Sequence, residues 1–367
     1  MEARRPAEPR APASRLLGVR TVAYTLGFFV LVMAFGAAGL ELHVDASLRR
    51  LRAQVEDERA GPRPPPPARE ALYGETRDGD AREGYEAAIA AILTDLPAKP
   101  LSQAIEGAAL GAVLPLSATL TALLEAHRGE VETLRRAAHA RGDAALDARG
   151  SGRRVEAMRT LTWLVVLEGH ESACRGDARG AAERYLDAAR FAADVAAGGS
   201  IVSHMIGLGL LRSPLHALDD LVANGHRGAG DLEMLATALE RMPRLGVLLA
   251  GALDQERRVS LDYGYAVARG DPLQDELSTP LDVLPLRMQI ALTWRGRDEI
   301  WREAIAAVAL ADREARRAAV ARAETHARAW WSGLALFDLG AYYAKSDATE
   351  QRLDALRKAV RTARGVP

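Results

Sequence analysis

Cysteine is almost missing from this chain of 367 residues. Cys174 stands alone, which excludes a disulfide framework and any cysteine-rich zinc or iron–sulfur centre. Lysine is nearly as scarce, at Lys99, Lys345 and Lys358, and arginine replaces it throughout, a bias that fits a GC-rich bacterial genome. Asparagine occurs once, at Asn224, and does not open a glycosylation acceptor. An excess of charge of either sign is also lacking: 48 basic against 49 acidic residues leave a net charge of −1. That balance excludes a strongly basic nucleic-acid binder and an acidic disordered tail, so no nucleic-acid partner is expected.

Catalytic signatures are absent as well. No G-x-x-x-x-G-K-[ST] phosphate loop and no G-x-S-x-G elbow occur, and Gly207 and Gly209 lack the third glycine of a dinucleotide fingerprint. His170 and Glu171 begin an H-E pair, but Cys174 stands where a zinc-binding helix needs its second histidine. No E-x-x-H pair exists, which removes the di-iron bundle pattern. No cofactor and no metal site is expected, and the activity is read as non-enzymatic. The alternative is an enzyme with an unrecognised site near Glu168, His170 and His204, with His216 within reach. Helix geometry weakens it, because Glu168 shares a face with Glu171 while His170 points elsewhere. Cys174 reads as a buried, inert thiol.

Long apolar runs are also rare, with one exception. Thr21 to Leu40 carries no charge over 20 residues. At 1.5 Å per residue it spans about 30 Å, the thickness of a bilayer core. The expected partner is therefore a membrane, crossed once by residues 21–40. Arg15 and Arg20 directly precede the run, which favours a cytoplasmic N-terminus and a domain outside the cytoplasm; Arg49, Arg50 and Arg52 make that margin thin. A cleaved signal ending near Gly36-Ala37-Ala38 and a buried helix are the alternatives.

Leu42, Leu48, Leu51 and Val55 carry the helical rhythm to about Arg59. Gly61 to Pro67 then reads as an extended polyproline spacer. From Asp80 the pattern is helical almost throughout, and no segment alternates long enough for a strand. The expected class is all-α, with a multi-helix domain built of antiparallel hairpins. The expected organisation is a tail (1–20), a span (21–40), a juxtamembrane helix and linker (41–79), a main domain (80–271) and a C-terminal helical set (272–367). Asp80 with Glu83, and Asp347 with Glu350, read as helix starts. Ser117 to Leu134 reads as one long helix, 201–222 as a central buried helix with Pro214 kinking or restarting it, and 313–328 as a solvated basic face. Asp231 reads as a helix cap, Pro243 as a first helical residue, and 330–344 as a separate helix. Trp294 and Trp301 read as core.

Gly169, Gly176, Ala181, Tyr185 and Ala188 lie in a hairpin at 162–195. They fall at the two glycines, the second-helix alanine, the aromatic and the later alanine of a tetratricopeptide repeat, which this hairpin resembles. Small residues there let two helices approach, and the aromatic fills the gap to the next hairpin. Val165, Glu168, Ser172 and Ala193 depart from that pattern. Ala81, Tyr85 and Ala88 echo the second half of it. The whole layout is similar to bacterial proteins with a membrane anchor, a proline linker and a helical domain. That resemblance supplies no activity. The anchor, the spacer, the repeat-like hairpin and the lack of catalytic motifs together point to a protein-interaction or scaffold role, with another envelope protein as partner; the alternative is a purely structural envelope component.

Overall fold

The structure, a computed structural model, describes residues 13–61, 77–142, 144–146, 148, 151–224, 229–269, 286–329 and 339–365. The polyproline spacer from Pro62 on, the break at 272–285, and Trp330, Trp331 and Phe337 lie outside the described residues.

Among the described residues the chain is all-α. The helices are α1 (Ala13–Ala60), α2 (Ala81–Thr94), α3 (Lys99–Ala109), α4 (Ala118–Ala126), α5 (Arg128–Ala138), α6 (Gly152–Cys174) and α7 (Ala178–Ala196). They continue with α8 (Ile201–Ala223), α9 (Ala229–Arg241), α10 (Leu245–Arg269), α11 (Leu286–Ala309), α12 (Arg313–Ala329) and α13 (Leu339–Ala363). One short parallel pair, β1 (Arg77–Asp80) with β2 (Ala140–Arg141), is the sole sheet among the described residues.

Local chemistry sets many of the helix starts. Asp80 accepts a hydrogen bond from the Glu83 amide at 2.9 Å, Ser117 from Leu120, Asp177 from Gly180 and Ser200 from Ser203. Each satisfies an amide that the first helical turn leaves orphaned. Elsewhere the local reading fails. The expected helix from Ser117 to Leu134 breaks at His127 into α4 and α5. Pro214 is buried inside α8, which continues through it. Asp231 lies in the first turn of α9 rather than at its cap, and α10 begins at Leu245, after Pro243. Asp347 and Glu350 start no helix; they lie in the interior of α13, with buried side chains.

The chain divides into two compact units. One comprises the residues up to Gly61 together with Tyr263–Trp294; the other holds Pro62–Asp262 and Arg295 to the end. In the first, α1 changes character along its length. From Phe28 to Met33, and at Phe35, its large apolar side chains are exposed, with Phe28 at 69% and Phe35 at 71%. This is the one described helix long and apolar enough to cross a membrane, and it lies near the N-terminus. Beyond Leu42, Val44, Leu48, Leu51 and Val55 are buried. Gly264 sits close to Leu51 and Ile290: a Cβ there would stand 3.0 Å from the first and 3.4 Å from the second. Ser47 donates to the Ala291 carbonyl at 2.6 Å, the Trp294 indole donates to Ser47 at 2.9 Å, and Arg287 pairs with Asp45 at 2.9 Å.

In the second unit the main core runs through α2 to α9 and takes in Leu353, Leu356 and Val360 of α13. α7 is the most enclosed helix, packed by α6 on one side and α8 on the other. Alanine makes this possible: Ala181, Ala182, Ala188, Ala189, Ala192, Ala193 and Ala196 are all buried on it. Small side chains bring the backbones close, so more dispersion contacts form per residue. A second apolar cluster joins Leu249, Leu253, Trp301, Val308, Val320 and Tyr343.

The backbones of α7 and α8 approach closely at Gly207. A Cβ there would stand 2.4 Å from the Ala196 nitrogen and 2.6 Å from the Ala192 carbonyl oxygen, both backbone atoms that cannot rotate away. Gly207→Ala should therefore destabilise by about 1–3 kcal/mol, although alanine is favoured over glycine in an open helix by about 1 kcal/mol. Urea unfolding would show it, and Gly209→Ala, whose Cβ meets nothing within 4 Å, serves as the control. A stabilised Gly207→Ala would contradict the packing.

Candidate functional site

Two polar centres lie inside this alanine-rich core. The first holds His170 of α6. The fourteenth residue after it is Arg184, and the next, Tyr185, sits across the helix connection on α7. The two ring systems meet edge to face, with centroids 5.5 Å apart, and the Tyr185 hydroxyl lies 2.7 Å from His170 Nδ1. Gly169 allows this: a Cβ at 169 would stand 2.3 Å from the Tyr185 ring. Both side chains are buried. Burial pushes the His170 pKa down to about 4 and the charge of His216 acts the same way; the Ala108 carbonyl and Asp220 oppose it. The Tyr185 phenol is raised by burial first, then by Cys174 and Asp220. The His170 ring is neutral near pH 7, and the direction of the bond it shares with the Tyr185 hydroxyl follows its tautomer. A base so depressed beside an acid so raised is poorly suited to moving protons near neutrality, and His170 at 1% exposure leaves no room for a substrate. What this pair does is pin α6 to α7.

The second centre was not among the residues singled out by the sequence. Asp187 of α7 is buried, with His139 Nε2 at 2.8 Å, Arg135 at 3.2 Å and Arg190 at 3.2 Å. Two turns on, buried Asp194 accepts from Tyr85 at 2.8 Å. The seven-residue spacing of two acids on an alanine face was the available signal. A carboxylate at such a position requires partners, since an unpaired buried charge is costly.

The residues proposed from sequence do not assemble. Glu168 pairs with Arg184 at 3.2 Å and Arg135 at 3.7 Å, in the Asp187 network and not with His170. Glu171 pairs with Arg175 at 3.2 Å. His216 lies 3.9 Å from Asp220 at a half-exposed position. His204 of α8 is fully buried, and neither ring nitrogen makes a hydrogen bond. Cys174 is exposed, not buried as its apolar helix suggested, because it ends α6 at the turn. Among the described residues no group of three or more histidine, cysteine or acidic side chains is arranged to hold a metal ion.

Burial holds the His204 pKa at about 4, with the Ala196 carbonyl opposing. An unfolded chain binds a proton there near pH 6.5, so between these values the unfolded state takes up protons and the folded state does not. The stability that neutral His204 contributes is thus complete above about pH 6.5 and is lost as pH falls toward 4. The loss by pH 4.5 should be about 2–3 kcal/mol. Urea midpoints of the wild type and of His204→Leu, compared at pH 7.5 and 4.5, test this. The wild type should fall further than the variant, and equal falls would exclude the linkage.

Trp301 is buried in the second apolar cluster and Trp294 within the unit formed with α1, so both are core residues. The basic stretch of α12 is solvated at Arg317, Arg322 and Arg328, and departs from that expectation at Arg316, which is buried 3.3 Å from Glu350; Arg317 lies 2.7 Å from Asp347. Compared with protein-family models, with curated proteins and with solved structures, the chain matches none.

Proposed function

We propose that this chain is a single-pass membrane protein whose helical domain is a non-enzymatic interaction or scaffold module. The observation that carries the reading is the exposed apolar half of α1. A helix with Phe28, Phe29, Leu31, Met33 and Phe35 facing outward costs free energy in water and gains it in a bilayer. The arginines before Thr21 support a cytoplasmic N-terminus with the domain outside the cytoplasm. The buried small residues Ala181 and Ala188, with Tyr185 on Gly169, support a tetratricopeptide-like hairpin as the unit of the domain. The absence of catalytic motifs in the sequence favours binding another envelope protein over chemistry.

Alkaline carbonate washing tests the anchor: the full chain should stay with the membrane. A chain lacking residues 1–42 should be released. The cut falls before Val44 because Val44, Leu48, Leu51 and Val55 are buried within the unit that α1 helps to form. A full-length chain extracted by carbonate would refute the anchor. Protease added to intact spheroplasts should digest the domain, and its protection would reverse the topology. Cross-linking in the native membrane, followed by identification of the attached protein, tests the partner.

A further inference from the structure

We propose that Arg49, Arg50 and Arg52 of α1 form a collar that binds the phosphates of anionic phospholipids at the membrane surface; this rests on the anchor reading above. Three observations combine. First, α1 is one helix from Ala13 to Ala60, so the height of every residue above the bilayer follows from the 1.5 Å rise. Leu42, 70% exposed, is the last large apolar side chain on the open part of the helix. Arg49 follows about 10 Å beyond it and Arg52 about 15 Å.

Second, side chains on a helix tilt toward its N-terminus, which here is the membrane side. The long arginine stems therefore reach back toward the headgroup zone, which extends about 5–8 Å past the hydrocarbon edge. Third, the arginines are held at that height, with Arg49 and Arg50 turned outward. Val44, Leu48, Leu51 and Val55 bury one side of α1, while Ser47 and Asp45 are hydrogen bonded to Ala291 and Arg287. At about 100° per residue, Arg49 and Arg50 fall on the opposite side, and Arg52 flanks the buried face with its Nε covered. Arg49 and Arg50 are exposed and Arg52 half-buried, and among the described residues no carboxylate pairs with any of them. The nearby acids are already engaged or displaced along the axis. Asp45 holds Arg287 and Glu56 accepts from Tyr265, while Glu41 lies toward the membrane and Asp57 two turns farther from it.

Unpaired guanidinium groups at phosphate height match the forked geometry of a phosphodiester and gain from an anionic surface. Phosphatidylglycerol supplies both. The full-length protein is reconstituted into phosphatidylcholine vesicles containing a minor share of phosphatidylglycerol. Spin-labelled forms of the two lipids then report which is retained at the protein. The wild type should prefer phosphatidylglycerol two- to fivefold. Arg49→Gln with Arg50→Gln, both at exposed positions, should bring that ratio toward one. About 1 M salt, which shortens the screening length to about 3 Å, should do the same to the wild type. Equal retention of the two lipids by the wild type, or a preference that survives the double substitution, overturns the collar. A protein that does not float with the vesicles overturns the anchor itself and the collar with it.

Discussion

Tyr185→Ala should destabilise the larger unit by about 3–5 kcal/mol, the range of aromatic truncations in packed cores. The ring is fully buried against Gly169, so its removal leaves a cavity between α6 and α7 that helix backbones cannot close. The hydroxyl adds a separate part. Tyr185→Phe keeps the ring and leaves His170 Nδ1 without its partner at 2.7 Å, which should cost about 1–3 kcal/mol. Ala181→Leu overpacks a fully buried position and should cost about 1–3 kcal/mol. Arg184→Ala should cost about 1 kcal/mol or less, since it loses a partly exposed pair with Glu168 and a bond to the Gly180 carbonyl. Urea unfolding of the chain lacking residues 1–42 ranks the four. If Tyr185→Ala and Ala181→Leu both left the midpoint unmoved, the packing of this hairpin would be wrong, and the repeat-like reading would go with it.

Arg316→Met should cost about 3–5 kcal/mol, the range seen when one partner of a buried ion pair is removed. The loss comes less from the missing attraction than from Glu350, which stays buried with its charge. Arg244, at 3.7 Å and itself half in water, relieves only part of that. The pattern of variants separates the two causes. Arg316→Met combined with Glu350→Leu should recover most of the stability, because an apolar pair of similar volume replaces a desolvated ionic one. A double variant as unstable as the single one would mean that the shape of Arg316 matters, through its place beside Gly246 and over the Tyr343 ring, and that its charge does not. The same neighbourhood explains why Asp347 titrates low. Burial alone would raise it, but the hydrogen bonds from Arg317 and Gln351 and the charge of Arg313 prevail.

The sequence by itself determined the all-α class, many of the helix starts and the uncharged apolar run of α1. These depend on neighbours a few residues apart: a cap such as Asp80 acts on Glu83, and a stretch without charge is apolar whatever surrounds it. Tertiary structure alone decided what the charged and polar residues do. Asp347 and Glu350 satisfy the spacing of a helix start, yet α13 passes through them, because α12 supplies arginines some 30 residues away that make their burial tolerable. Asp187 is buried because Arg135 on α5 and His139 just past its end are brought to it across about 50 residues of chain. Glu168 and His170 are two positions apart and part company, one to an arginine network and one to Tyr185, since successive side chains on a helix face different neighbours. Local patterning places a helix; a buried charge is decided by partners that only the packing of distant segments brings within reach.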